Sequence, residues 1–333
     1  MSKDTAKADR IDWLDTSRGI AFIMVIFDHL DLGNVVGINF ITPVFLTTFF
    51  FVSGYLFKEN VPFTKMLEQR TRTLLIPFII LGSFLILTSS ITSFNEKHIG
   101  IGKSFVELFT QYGYVHINTM WFIPSLYLYS IVFHLLMSVK SDWKWMAAMA
   151  FSTFLINWIY IYLLKGPHLP WHIELTGFAC CYMFIGKIYK KLEKEIDGTT
   201  TSICFLSAGI YLTYITVTSN SCNFYGSQWA IDSILLTLLG LTVMIKVSKK
   251  LNSSFLRFVG ANTLLYFAFH GKAMSFVNVI ITKLGIGISE PVLLYNVFLI
   301  VQTLFVAVLL IPVCILINRY VPQVLGKNYK LWR

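Results

Sequence analysis

Long apolar stretches separated by short polar loops run the whole length of this chain. A helix needs roughly 20 residues to cross a hydrocarbon core, and on that measure the pattern predicts ten spans: about 17–33, 38–57, 74–93, 119–139, 143–163, 172–189, 201–219, 228–247, 260–281 and 292–318. The last is long enough to tilt or to bend at Pro312, and the longest loop, about 94–118, joins the third span to the fourth. No stretch reads as a separate soluble domain. The expected architecture is an all-α integral membrane bundle forming one domain over 1–333, with a polar segment 1–16 before it and a basic tail 319–333 after it.

Composition agrees with the pattern. The chain is 56% hydrophobic, 16% aromatic and only 13% charged, with a mean hydropathy of +0.67, well outside the range of soluble domains. Charge adds an orientation. Of the 27 Lys and Arg residues, 22 fall in loops on the side of the N-terminus, four (Lys97, Lys103, Lys165 and Lys283) fall in loops on the other side, and Lys272 lies within a span. Positive loops are retained in the cytoplasm, so both termini are expected there, in a multi-pass protein of a bacterial cytoplasmic (inner) membrane. The net charge of +10 then reads as a surface facing anionic lipid, without nucleic acid as a partner. The first 17 residues are too polar for a cleavable signal peptide.

The five cysteines show no paired metal spacing and read as packing residues. No Walker loop, dinucleotide fingerprint or zinc-protease motif occurs, so no metal and no permanently bound cofactor are expected.

Candidate chemistry begins in the first span. Arg18 and His29 are eleven residues apart, close to three whole turns, so they share a helix face and stand about 16 Å apart along the axis. Asp15, three positions before Arg18, shares that face and is placed to hold the guanidinium. One end of the face therefore offers an anion-binding cation. The other offers imidazole, the side chain best suited to take up a proton near neutral pH. Such a face suits a long ligand with a charged head outside the membrane and a reactive end within it, as in acyl-coenzyme A, with the basic stretch Lys58–Arg72 beside its phosphates. A packing or interfacial histidine is the plainer alternative.

Six stretches resemble the membrane-bound acyltransferase-3 family in sequence and in order: RIDWLDTSRGIAFIMVIFDH (10–29), FFFVSGYLF (49–57), RTRTLLIPF (70–78), MWFIPSLYL (120–128), LPWHIELTGFACCYMFIGKIYKK (169–191) and VGANTLLYFAFH (259–270). Within that family the chain is most similar to stand-alone sugar O-acetyltransferases, the fucose acetylase-like enzymes of bacterial surface glycans. The resemblance implies that Arg18 and His29 are the essential pair, with His29 activating the acceptor hydroxyl or handling the acetyl group. It implies that Arg70 and Arg72 meet the donor's phosphates, and that acetyl-coenzyme A is a co-substrate. The chain departs from the family's habit at Thr73, where a basic residue is frequent, and at Thr47, where a proline is common.

Ionisable and polar groups inside spans are site candidates in their own right. Glu174 matches a position that is often acidic in these relatives and is a candidate for a sugar hydroxyl, though an acid at a helix start also suits the dipole. His270 matches the family's late histidine, and Asn262, eight residues earlier, lies roughly on its stripe. Trp121 stands at a span boundary, where an aromatic belt and a sugar-stacking ring are both natural. Asp232 and Lys272 are expected to neutralise each other across helices, and His134 to be hydrogen-bonded inside the bundle.

The leading expectation is thus transfer of acetyl from cytoplasmic acetyl-coenzyme A to a sugar hydroxyl of a surface or lipid-linked glycan. A multi-span secondary transporter of a small polar solute is the alternative, and it should show paired, Gly- or Pro-interrupted halves. No such repeat is visible. The charge asymmetry carries a direct test: a reporter active only outside the cytoplasm should be silent when fused after Arg333 and active when inserted after Lys165. The opposite pattern would reverse the orientation.

Overall fold

A computed structural model describes residues 11–30, 38–92, 101–110, 120–197, 230–285 and 292–327, with Ser207 and Ile210, and among these all regular structure is helical. The helices are α1 (Asp12–Leu30), α2 (Ile38–Tyr55), α3 (Phe63–Arg70), α4 (Ile76–Thr92), α5 (Ile101–Thr110), α6 (Phe122–Val139), α7 (Trp143–Trp158), α8 (Thr176–Asp197), α9 (Ala230–Lys250), α10 (Ser254–Ala261), α11 (Thr263–Lys283) and α12 (Val292–Tyr320).

Among the described residues, five stretches are long and apolar enough to cross a membrane: Phe63–Ser89, Phe122–Val139, Trp143–Leu163, Thr263–Lys283 and Leu294–Tyr320. Helices α1, α2, α8 and α9 occupy four more of the expected spans, and 201–219 lies outside the described residues except for Ser207 and Ile210. Two expectations about loops change. The basic stretch Lys58–Arg72 is helical from Phe63 and runs into α4 through a π-helical turn, Thr71–Leu75. The long connection 94–118 contains α5, which packs against α4.

Helix α1 is the centre of the bundle, in contact with α2, α9, α10, α11 and α12. Glycine lets two of its neighbourhoods close to backbone distance. A Cβ on Gly19 would stand 2.1 Å from the Leu256 carbonyl oxygen, and one on Gly260 would stand 1.8 Å from that of Asp15, so α1 and α10 meet without side chains between them. The pair α2 and α8 repeats the device, with Gly54 against the Met183 carbonyl (1.9 Å) and Gly186 against that of Phe51 (2.1 Å). Small residues at crossings drive helix association where lipid removes the usual hydrophobic incentive. Helix α12 shows the complementary surface. It buries Leu299, Val306, Ala307, Leu310 and Cys314 against the bundle and leaves Val301, Phe305, Val308 and Leu316 exposed, as expected of a helix apolar on every side.

The two ends of the bundle differ in chemistry. Trp13, Tyr55 and Tyr189 cluster at the Arg18 end of α1, with Trp13 and Tyr55 centroids 5.2 Å apart. Lys249 joins them, donating to Glu193 (2.6 Å) and to the Tyr189 hydroxyl (3.0 Å). Nearby Lys187 pairs with Glu59 at 2.9 Å. At the opposite end α1 finishes with His29.

Membrane-segment polar groups settle locally. Lys272 donates to Ser89 Oγ (2.6 Å), while the side chain of its expected partner Asp232 lies outside the described residues. His134 departs from the expected hydrogen bond: it is buried between Phe57 and Phe63, with centroids 5.6 and 5.8 Å away, and its Nδ1 has no hydrogen-bond partner among the described residues. Cys180, Cys181 and Cys314 are buried free thiols, and Cys204 and Cys222 lie outside the described residues.

Gly54→Val or Gly186→Val should cost at least the roughly 1–3 kcal/mol of ordinary overpacking, because the obstacle is backbone. Gly102→Ala, where nothing among the described residues lies within 4 Å, should be neutral. Thermal unfolding in detergent, followed by the fraction of monodisperse protein, separates the two outcomes.

Candidate functional site

At the Arg18 end a cavity of about 170 Å³ opens between α1, α2, the α3–α4 junction, α6 and α11. Its walls are apolar (Phe49, Val52, Leu56, Leu74, Phe122, Ile123, Leu126, Leu264 and Phe267), and its charged lining groups are Arg18 and Arg70. Arg18 is held from below by Asp15, whose buried carboxylate takes the Nη2 hydrogen bond across one helical turn, as the spacing predicts. Breaking a buried pair leaves an uncompensated charge, so this contact fixes the guanidinium and α1's first turns together.

Arg70 and Arg72 are placed differently. Residues two apart on a helix point to nearly opposite sides. Arg70 lines the cavity. Arg72 sits within the π-helical turn, which packs against the C-terminal turn Pro322–Leu325. A Cβ on Gly326 would stand 2.1 Å from the Arg72 carbonyl oxygen and 3.1 Å from its Cγ. Gly326 also has φ +69°, a conformation that favours glycine, so the turn closes onto Arg72 only with glycine there.

Beyond the cavity lies a series of ring contacts. Phe122 stacks on Phe267 (centroids 5.0 Å apart, planes at 15°), Phe267 meets Phe22 edge-on (4.7 Å), Phe22 meets His270 (5.4 Å) and His270 meets His29 (5.2 Å). This aromatic wall separates the arginine end from the histidine end. His29 Nδ1 lies 2.7 Å from the Val25 carbonyl oxygen, and His270 Nδ1 lies 2.8 Å from that of Tyr266. A carbonyl only accepts, so in both neutral rings Nδ1 carries the hydrogen and Nε2 keeps its lone pair. His29 is exposed, whereas His270 is fully buried with an Nε2 that has no partner among the described residues.

The same end of the bundle holds Glu174, in the turn Pro170–Leu175 that leads into α8. One carboxylate oxygen accepts from His168 Nδ1 (3.0 Å) and His172 Nδ1 (3.1 Å), and the other accepts from the Leu169 amide (3.0 Å). Asn157 braces the turn: its amide nitrogen donates to the Glu174 carbonyl, and its oxygen accepts from the amides of Gly177 (2.6 Å) and Phe178 (3.2 Å). Trp121 lays its ring against His172 at 4.7 Å. Sequence reasoning singled out Glu174 and Trp121 but passed over His168, His172 and Asn157. The H-x3-H-x-E spacing of 168–174 was the available signal.

Asn262 stands away from the histidines, at the junction of α10 and α11. Its amide nitrogen donates to the Phe258 carbonyl (2.8 Å), and its oxygen accepts from Asn318 (2.7 Å). Its neighbours Thr263 and Leu264 line the cavity. Thr47, at the departure from the family habit, turns its hydroxyl back to the carbonyls of Pro43 (2.8 Å) and Val44 (3.0 Å) inside α2, and is buried.

Comparison with curated proteins and with solved structures gives no match. A family model described as an acyltransferase domain matches residues 11–319, nearly the whole chain. That span takes in α1 through nearly all of α12, the arginine-lined cavity and both histidines, and the family indicates acyltransferase activity. The chain belongs to the acyltransferase-3 family.

Proposed function

We propose that this acyltransferase takes an acetyl group from acetyl-coenzyme A and transfers it to a sugar hydroxyl of a surface or lipid-linked glycan. The observation that carries the reading is the cavity at the Arg18 end: apolar walls suit a pantetheine arm, and Arg18 and Arg70 at its lining suit phosphate. The donor's charged head stays at that end, and the acetyl thioester is drawn toward the aromatic wall. Passage to His29 requires the rings of Phe267 and Phe122 to part.

His29 supplies the proton chemistry. Its Nε2 lone pair, left open by the Nδ1 bond to Val25, accepts the hydroxyl proton as the sugar oxygen attacks the thioester carbonyl carbon. The tetrahedral intermediate collapses with cleavage of the C–S bond. The leaving thiolate recovers the proton from the imidazolium, so the ring ends neutral. His270 packs edge-on against His29 and fixes its plane. Trp121, His172 and Glu174 form the acceptor side, where an aromatic face and polar atoms meet at the same end of the bundle. Asn262 supports the α10–α11 junction beside the donor cavity.

Three substitutions test the assignment, read as acetyl content of the cell-surface glycan by mass spectrometry and as coenzyme A release by purified protein. His29→Ala should leave the bundle folded and lower turnover by about 10²–10⁴. Near-wild-type acetylation would reduce His29 to a packing residue. Arg18→Lys keeps charge without the fork geometry and should be milder than Arg18→Ala, which also removes the hydrogen bond to Asp15.

Arg70→Ala should raise the apparent KM for acetyl-coenzyme A by about 10- to 150-fold, the equivalent of one charge-assisted contact of about 1.5–3 kcal/mol, and Arg72→Ala should raise it much less. Equal effects would move the phosphate site away from the cavity.

A further inference from the structure

We infer that His168, His172 and Glu174 form a binding site for a divalent transition metal of the zinc type. The inference does not rest on acyl transfer, although it shares His172 and Glu174 with the acceptor side proposed above, and its test reads metal binding alone. A ring nitrogen of each histidine and a carboxylate oxygen of Glu174 lie within 4.8 Å of one another. The two measured separations to the shared oxygen, 3.0 and 3.1 Å, are close to the about 3.3–3.4 Å between ligand atoms that bonds of about 2.0–2.1 Å in a tetrahedron require. Two nitrogens and one oxygen are a ligand set that suits zinc, and the arrangement leaves a fourth position for water or substrate.

Charge is the stronger argument. The Glu174 side chain is only 2% exposed, and a buried carboxylate needs a cation. Among the described residues no Lys or Arg pairs with it. Its two ion-pair partners are imidazoles, which carry charge only when protonated. A divalent ion between the three groups would supply that charge with both rings neutral, the form in which histidine is a ligand.

The backbone is built to hold this geometry. Trp171 and His172 both adopt the left-handed conformation, with φ of 53° and 51°, which is strained for residues with a Cβ. Strain of this kind persists where the surroundings fix it, and it concentrates at functional positions. Here Ser125 Oγ donates to the Trp171 carbonyl (2.7 Å), and the Tyr129 hydroxyl donates to that of His172 (2.6 Å). With Leu169 and Asn157 holding the acid, two of the three ligands are oriented by an outer layer of hydrogen bonds, as metal sites require. The third, His168, is 84% exposed and gives an ion its route in from solvent.

The test uses full-length protein in detergent, stripped with a chelator and then titrated with Zn²⁺ against a chromogenic competitor. Co²⁺ in place of zinc reports coordination through its visible absorption. Wild type should take up one tight equivalent. Losing an outer-layer partner already costs about 10- to 100-fold in metal affinity, so His168→Ala and Glu174→Gln, which remove ligands, should weaken binding by at least about 100-fold. His168→Ala should fold normally because that side chain is largely in solvent, and it decides the matter alone if Glu174→Gln does not fold. Histidines elsewhere, including His98 and His116, persist in every variant, so metal held by them would not respond. If wild type and His168→Ala bind Zn²⁺ within tenfold of each other, or if wild type takes up no tight equivalent, the triad is a hydrogen-bonded brace and the metal site is wrong.

Discussion

The close approach of backbones at the α1–α10 and α2–α8 crossings is the constraint from which the rest of the site follows. Gly260 rests against the Asp15 carbonyl and Gly19 against that of Leu256, so the first turns of α1 cannot slide or roll without a clash of main chains. Asp15 and Arg18 sit on those turns, and their mutual hydrogen bond is held in place by the frame around them. The same rigidity is transmitted along α1 to His29. A helix held this way keeps two groups about 16 Å apart at fixed angles, which flexible loops could not do.

How the bundle divides its chemistry follows from that strut. The arginine end combines an apolar cavity with two guanidinium groups. The histidine end presents two imidazoles, His29 exposed and His270 buried. Between the two ends, contact from Phe122 through Phe267 and Phe22 to His270 is continuous, so the cavity opens toward the histidines only if these rings move.

Much of this was legible in the residues. Helix periodicity put Asp15 one turn from Arg18 on a common face, and the hydrogen bond between them is present. The separation of Arg70 from Arg72 was also available in principle, since residues two apart diverge on any helix, but reading them as a basic cluster obscured it. The turn at 168–174 was hidden for a different reason. Its geometry depends on left-handed Trp171 and His172, which local preference disfavours, and on Ser125, Tyr129 and Asn157 from α6 and α7. Tertiary hydrogen bonds overrode local propensity, and no window of sequence contains them. Helix α5 was likewise folded into what the hydropathy pattern marked only as a long connection, because ten residues are too few to register as a span.

The π-helical turn at Thr71–Leu75 gives the cavity wall an unusual tolerance of chain length. Such a turn is an α-helix carrying one surplus residue. Deleting a single residue there would restore regular winding and leave the helix on either side close to its present phase, so Arg70 would keep its place on the cavity wall. The same deletion within the regular turns of α4 would rotate everything beyond it by about 100°. The junction is therefore the point at which this helix can gain or lose a residue without changing which cation faces the cavity.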